Sequence, residues 1–269
     1  MVVRREDDGI KRYCHVGTGN YNPTSARLYT DLGILTARAD LGNEVAETFN
    51  MITGFARVAP MQHLLVAPFT LREKVLALIA RETENKKAGK PAAIRAKLNN
   101  LADPQVIFAL YEASRAGVPI QLCVRGICIL RPGVPGLSEN ITVRAIIDRF
   151  LEHSRIYYFE NAGNPAVYLS SADWMVRNLN SRVEMACPIF DPEISNELKL
   201  YFNIQFRDNT KARIMDATQA NHYKKDGNSV CHSQQEIYNY LKAKLEAAKN
   251  PPKLETVFIE PERSSAATS

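Results

Sequence analysis

Long apolar runs are missing from this 269-residue sequence. None approaches the roughly 18 consecutive apolar residues that a membrane-spanning helix needs, so no span is expected. Met1 to Asp8 is charged, and no apolar stretch follows it. No secretory signal is expected either. Cysteine is sparse: Cys14, Cys123, Cys128, Cys187 and Cys231 are odd in number, scattered, and mostly beside apolar neighbours. They read as reduced, buried thiols of a cytosolic protein, not as a disulfide framework. No second Cys or His pair at zinc spacing accompanies Cys123 and Cys128, so no zinc site is expected. Charge of one sign does not dominate, because 34 Lys and Arg face 29 Asp and Glu for a net +5. That excess suits an anionic ligand such as a nucleotide, polyphosphate or nucleic acid without demanding one. The Gly17-Thr-Gly-Asn run is not a Walker A loop, since no Gly-Lys-Ser/Thr follows it.

What is present is an ordinary globular balance, with 45% hydrophobic and 23% charged residues. Val2-Val3 and Tyr13 to Val16 predict paired strands around an Asp8-Gly9 turn. Two apolar residues make a short strand, so the sequence is expected to begin inside an element whose first half is missing. Helices are predicted over Asn43–Phe55 (face Val45, Phe49, Ile52), from Leu71 onward with Thr70 as cap, from Asp103-Pro104 to Gly117, over Pro192–Phe206 and over Ile237–Ala248. Lys86 to Pro91 reads as a basic loop. Strands are predicted over His63–Ala67, Ala92–Leu98, Val118–Val124, Ile141–Ile147, Arg155–Glu160, Ala166–Ser170 and Arg182–Pro188. This alternation argues for a layered α/β domain with a mixed sheet, and for a boundary between Phe55 and Pro60.

Several polar groups cluster near predicted strand ends. His15-Val-Gly-Thr-Gly-Asn-Tyr-Asn22 resembles in content the split pair Glu152-His-Ser-Arg155 and Tyr168-Leu-Ser-Ser-Ala-Asp-Trp174. Both offer hydroxyls and backbone N–H donors to a phosphate. If His153 and Arg155 share a strand, they face one side, and the imidazole and guanidinium point together at one anion. The ordinary alternative for His153 is a satisfied core or surface histidine. Arg125 lies just past an apolar strand, where α/β sheets bind ligands; the alternative is a surface salt bridge. Arg177-Asn178, Arg182 and Glu184 form a second polar cluster or a charged strand edge. Tyr29 is a core aromatic or a stacking surface for a base. His63, His222 and His232 have no sequence neighbours that lift them above ordinary residues, and Lys224-Lys225 reads as a solvated face.

Taken together, His15-Val-Gly-Thr-Gly-Asn-Tyr-Asn, Ala26-Arg-Leu-Tyr-Thr-Asp31, Lys97-Leu-Asn-Asn100 and Val124-Arg-Gly-Ile-Cys128 resemble the C-terminal part of the bacterial polyphosphate kinase family. So do Arg149-Phe-Leu-Glu-His-Ser-Arg155, Ser170-Ser-Ala-Asp-Trp-Met-Val-Arg-Asn178 and Arg182-Val-Glu184, in family order and spacing from Val2 to about residue 248. The resemblance implies phospholipase D-like mixed sheets flanked by helices. Residues 1–58 would be the C-terminal half of a first catalytic domain, 59–248 a complete second copy, and 249–269 a mobile tail. It implies reversible transfer of the ATP γ-phosphoryl group to polyphosphate through a phosphohistidine, with Mg²⁺ accompanying ATP. By resemblance His153 is the second active-site histidine, Tyr29 stacks near the base, Arg125 binds phosphate, and Arg182 and Glu184 line the same pocket. It also implies a cytoplasmic protein, with or without membrane association, ATP, ADP and polyphosphate as partners, no nucleic acid, and a homo-oligomer at full length. One departure stands out: the family's nucleophilic histidine lies in a His-x-Lys motif upstream of the strand beginning at Val2, and His15 is not that residue. The chain alone is therefore expected to turn over little. The alternatives are a phospholipase D-like phosphodiesterase, for which only His153-Ser-Arg155 approximates a motif, and a non-catalytic nucleotide- or polyphosphate-binding remnant.

Overall fold

The computed structural model describes residues 1–54 and 60–249. The chain opens with antiparallel β1 (Val2–Glu6) and β2 (Gly9–Gly17), Val2 opposite Tyr13. Gly9 leaves the turn at φ +122°, a conformation side chains rarely adopt. β1 is longer than its two apolar residues suggested, because backbone pairing carries Arg4, Arg5 and Glu6 into the ladder. Then come α1 (Pro23–Ala26), β3 (Tyr29–Thr30), β4 (Gly33–Thr36) and α2 (Ala39–Ile52). β4 pairs with β2 to complete a three-stranded sheet. The expected helix at 43–55 thus starts at Ala39. Its buried face is Leu41, Gly42, Val45 and Thr48, while Phe49 (49%) and Ile52 (52%) are exposed instead of in the core.

The remaining elements are β5 (Leu65–Ala67), α3 (Leu71–Lys87), β6 (Ile94–Leu98), α4 (Pro104–Arg115), β7 (Ile120–Val124), β8 (Ile141–Ile146), β9 (Leu151–Glu152), β10 (Arg155–Phe159) and β11 (Ala166–Ser170). After these come α5 (Val176–Asn180), β12 (Glu184–Pro188), α6 (Pro192–Arg207), β13 (Ala212–Met215), β14 (His222–Tyr223) and α7 (Ser233–Lys249). Nine strands form one sheet in the order β14-β13-β8-β7-β6-β10-β11-β12-β5. β6, β7 and β8 are parallel and the other pairs antiparallel, so the mixed α/β expectation holds.

Local signals account for much of this. Asp103 caps α4 by accepting from the Val106 N–H at 3.1 Å, Pro104 takes the first turn, and Gly117 ends the connection at φ +88°. Thr70 sits at the start of α3, but its hydroxyl accepts from the Val66 N–H at 3.1 Å and caps nothing. α3 runs through Lys86 and Lys87, where a loop was expected. β10 is buried along its whole length. Tyr157 and Phe159 join the core beneath α3 and α4, while Ile156 and Tyr158 join Leu198 and Tyr201 of α6 on the other face. Period-two alternation thus builds two cores from one strand. Cys14, Leu41 and Val45 pack against Leu64, Val66 and Cys187, fastening the small sheet and α2 to the β5–β12 edge.

Two expectations fail for reasons of tertiary context, and three elements were not foreseen. α5, β13 and β14 carry too little apolar periodicity to be read from sequence. α7 begins at Ser233, before its first apolar residue, because buried Asp208 accepts from the Ser233 N–H (2.8 Å) and hydroxyl (2.6 Å). Lys224 is buried, not solvated: its Nζ donates to the Arg207 carbonyl at the end of α6 (2.9 Å) and pairs with Asp226 (2.7 Å). The boundary at 55–59 and the tail expected over 249–269, except Lys249, lie outside the described residues. Among the described residues all five cysteines are free, and no helix is long and apolar enough to cross a membrane.

Candidate active site

The two parts of the chain are joined by a two-stranded parallel ladder. Tyr29 of β3 lies opposite Leu151 of β9, and Thr30 opposite Glu152. Loop contacts extend it: Leu151 N–H donates to Leu28 O (2.8 Å), and His153 and Ser154 N–H both donate to Thr30 O (3.1 Å). This pairing sets Asp31 against His153 across 122 residues of sequence.

His153 is 7% exposed. Its Nδ1 lies 2.7 Å from Asp31 Oδ1, which also accepts from the Thr18 hydroxyl at 2.7 Å. Burial pushes the Asp31 carboxyl up, but the hydrogen bonds from His153 and Thr18 outweigh it and hold its pKa below the ordinary 3.8. Arg155 Nη1 is 3.1 Å from His153 Nε2 and 3.4 Å from Nδ1. An in-plane bond to Nε2 would leave Nδ1 much farther away, so the guanidinium nitrogen lies over the ring face. With Nδ1–H donating to Asp31, Nε2 is the ring's remaining acceptor, and Arg155 Nη1 is the group set against it.

The expectation that His153 and Arg155 share a strand face is corrected. The chain leaves β9 at Glu152 and enters β10 only at Arg155, so His153 lies between strands and Arg155 opens the next one. Nor does Arg155 face a ligand alone. It is 9% exposed at the side chain and needs a counter-ion, which Asp173 supplies at 3.1 Å to Nε and 3.4 Å to Nη2. Asp173 also accepts from the Asn99 N–H (2.8 Å) and Asn100 Nδ2 (3.0 Å).

Arg125 and Tyr29 join this cluster. Arg125 Nε donates to Asn99 Oδ1 (2.5 Å) and Glu152 O (3.0 Å). Burial, then the nearby Arg155 charge, lowers its pKa from the usual arginine value, yet a guanidinium stays protonated at neutral pH. Gly126 lets the chain pass close by: a Cβ there would lie 2.6 Å from Asn100 Oδ1 and 2.9 Å from the Asn99 carbonyl. The Tyr29 ring is 4.8 Å from the His153 ring, tilted 43°. Tyr29 and Arg125 line one cavity of about 330 Å³, and Tyr29, Asp31, Glu152 and Ser154 line another of about 410 Å³. Buried Glu152 accepts from Lys97 Nζ (3.1 Å), Gln205 (2.6 Å), Gln234 (2.8 Å) and Thr30 (3.2 Å).

Arg182 and Glu184 stand apart from that cluster. Arg182 is 59% exposed at the side chain, 3.8 Å from Glu184. Glu184 accepts from the Ser171 hydroxyl (2.5 Å) and Asn178 Nδ2 (2.7 Å) and faces a cavity of about 290 Å³ shared with His15, Gly17 and Tyr21. The turn after β11 links the two groups, with Ser171 on Glu184 and Asp173 on Arg155. Sequence reasoning gave Asp31, Thr18 and Asp173 no individual role. Thr18 and Asp173 lay in the two segments read as offering groups to a phosphate, and Asp31 only in a stretch that carries the resemblance; their partners are distant in sequence.

The acidic groups beside His153 are all engaged: Asp31 by His153 and Thr18, Glu152 by Lys97, and Asp173 by Arg155. Among the described residues no group of three His, Cys, Asp or Glu side chains could hold a metal ion. The described residues therefore do not fit a resident Mg²⁺ site.

Comparison with known proteins decides the lineage. The profile of polyphosphate kinase C-terminal domain 2 matches residues 64–235, and that of C-terminal domain 1 matches residues 1–58. The chain belongs to the polyphosphate kinase family. It is 55% identical to the polyphosphate kinase of Thermosynechococcus vestitus over 212 residues, 79% of this chain and 29% of that protein. With the polyphosphate kinase of Vibrio parahaemolyticus it shares 46% identity over 243 residues, 90% of this chain and 35% of that protein. The crystal structure of polyphosphate kinase from Porphyromonas gingivalis superposes with a TM-score of 0.85 at 44% identity, covering 88% of this chain and 37% of that one. The chain thus spans about a third of the length of these kinases.

Proposed function

We propose that this chain forms the C-terminal catalytic part of a polyphosphate kinase, which moves the γ-phosphoryl group reversibly between ATP and polyphosphate. The observation that supports it is the seam cluster: an imidazole fixed by Asp31 with Arg155 against its Nε2, near Tyr29 and Arg125, which line one cavity. Phosphoryl transfer needs positioning and charge neutralisation more than bond-making by the protein. Arg125 holds phosphate oxygens, and Tyr29 offers its ring to the base. His153, its Nδ1–H stabilised by Asp31, takes up a proton from solvent at Nε2 and gives it to the departing phosphate oxygen. Asp31 then faces an imidazolium, which its ionised carboxylate stabilises. Glu184 and Arg182 serve the neighbouring cavity, where the phosphohistidine would form on a residue upstream of Val2. Mg²⁺ arrives with ATP as part of the substrate. On this reading the full-length protein is a cytoplasmic homo-oligomer, with or without membrane association, that takes no nucleic acid.

The test is ATP formation from ADP and polyphosphate by a protein that joins this chain to the upstream portion its relatives possess. His153→Gln is expected to lower kcat by roughly 10²–10⁴-fold. The chain alone is expected to bind polyphosphate without appreciable turnover. A His153→Gln enzyme of unchanged kcat, or rapid ATP synthesis by the chain alone, contradicts the reading.

A further inference from the structure

The segment that delivers His153 has a sheet partner on one side only. Leu151 and Glu152 pair with β3, and β9 has no second strand neighbour among the described residues. The other side is met by the first turn of α7. Gln234 Oε1 accepts from the Phe150 N–H at 3.1 Å, and its Nε2 donates to the Phe150 carbonyl at 2.8 Å and to Glu152 Oε1 at 2.8 Å. One side-chain amide thus makes to Phe150 both bonds a neighbouring strand would make. His232 adds a contact from its Nε2 to Asp148 Oδ2 at the start of the same segment. The turn carrying both residues is itself fixed, since Ser233 is held through its N–H and hydroxyl by Asp208. Asp208 in turn accepts from the Thr210, Lys211 and Ala212 N–H groups. A continuous path of hydrogen bonds therefore runs from the end of α6, through α7, to the residue preceding His153.

We propose that α7 is a strut for the imidazole of His153 and that Gln234 is its positioning residue. Gln234 completes the ladder around Phe150 and Glu152, and its removal lets the 150–152 backbone shift against β3. The Nδ1 contact of His153 to Asp31 depends on that register. A hydrogen bond loses strength steeply with misalignment, so a small backbone shift frees the ring to sample its other tautomer.

Imidazole ¹⁵N–¹H spectra of the 269-residue chain test this without any activity. His153 is identified by the signal absent in His153→Gln. In the unmodified chain His153 is expected to show the single Nδ1–H tautomer. Gln234→Ala, and Gln234→Met, which keeps the side-chain volume should the alanine variant fail to fold, are expected to show mixed tautomers. Gln235→Ala, at an exposed residue whose side-chain amide donates to Asn239 on the same helix, is expected to leave the signal unchanged. A Gln234 variant with a lowered Tm but unaltered His153 resonances would show a merely structural residue and overturn the proposal. A second arm, which rests on the proposed activity, uses the intact kinase. There kcat is expected to fall roughly 10–100-fold with KM for ADP and polyphosphate kept, as misplacement of a reacting group predicts. A raised KM at unchanged kcat would put Gln234 on the substrate and overturn the strut. Disturbed spectra in an intact protein that makes no ATP at all would support the strut and count against the kinase reading, so the two failures are distinguishable.

Discussion

Replacing Asp173 by Asn isolates the electrostatic support beneath His153. The shape is kept, but one carboxylate that accepts from Arg155, Asn99 and Asn100 becomes an amide with a single acceptor. Asn can turn its oxygen toward the Asn99 N–H and Arg155 Nε, both of which now bond to Oδ1. Its NH₂ then meets Asn100 Nδ2 and Arg155 Nη2, donor against donor. Arg155 is left charged at 9% side-chain exposure with no other carboxylate within ion-pair distance among the described residues. Removing one member of a buried pair costs about 3–5 kcal/mol, most of it from the uncompensated charge. For a chain of this size that corresponds to a fall in Tm of roughly 6–20 °C. Differential scanning calorimetry of the 269-residue chain at about pH 7 measures it. The double variant Arg155→Met, Asp173→Asn removes the stranded charge and is expected to recover part of the loss, a non-additivity that contacting residues show. Two results would refute the claim that a stranded buried charge is what makes Asp173 costly to lose. One is a drop below about 2 °C for Asp173→Asn. The other is a double variant as unstable as the sum of the two single changes.

Other outcomes follow from the same geometry. Asp31 has its pKa held below the ordinary 3.8, so its ionised form stabilises the fold above that value and the contribution is lost as pH falls through the lower folded value. Asp31→Asn is therefore expected to lower Tm at about pH 7, with the gap to wild type closing on acidification; a gap constant from about pH 7 to about pH 3 rules this out. Gly126→Ala would place a methyl 2.6 Å from Asn100 Oδ1 and 2.9 Å from the Asn99 carbonyl, displacing the residue that orients Arg125. Polyphosphate affinity, measured by filter binding, is expected to weaken more for Gly126→Ala than for Gly133→Ala, where φ is positive but no atom lies within 4 Å. Equal losses would show that the close approach of Gly126 to Asn99 and Asn100 is not what sets Arg125.

Physical pattern explains where reading the chain succeeded. Asp103-Pro104 and Gly117 bracket α4 because capping and positive φ are local properties, and Ala166–Ser170 is a strand as read. Phe49 and Ile52 went the other way. Apolar periodicity shows that a helix has a face, but what stands opposite decides which face is covered. His232 illustrates the same limit: it looked ordinary because its partner Asp148 is 84 residues away.

The sequence by itself determined the α/β alternation, the limits of α4 and the start of α6, and, through stretches kept in order and spacing, the family. These are properties of neighbouring residues or of residue identity. Only the tertiary structure decided how His153 is held. Its acid partner comes from the short ladder of β3 on β9, its cation lies over the ring because Asp173 holds it there, and its segment is propped by α7. Each of these contacts depends on backbone register between distant segments. A shift of one residue would turn the same side chains away from one another, and no local pattern encodes that choice.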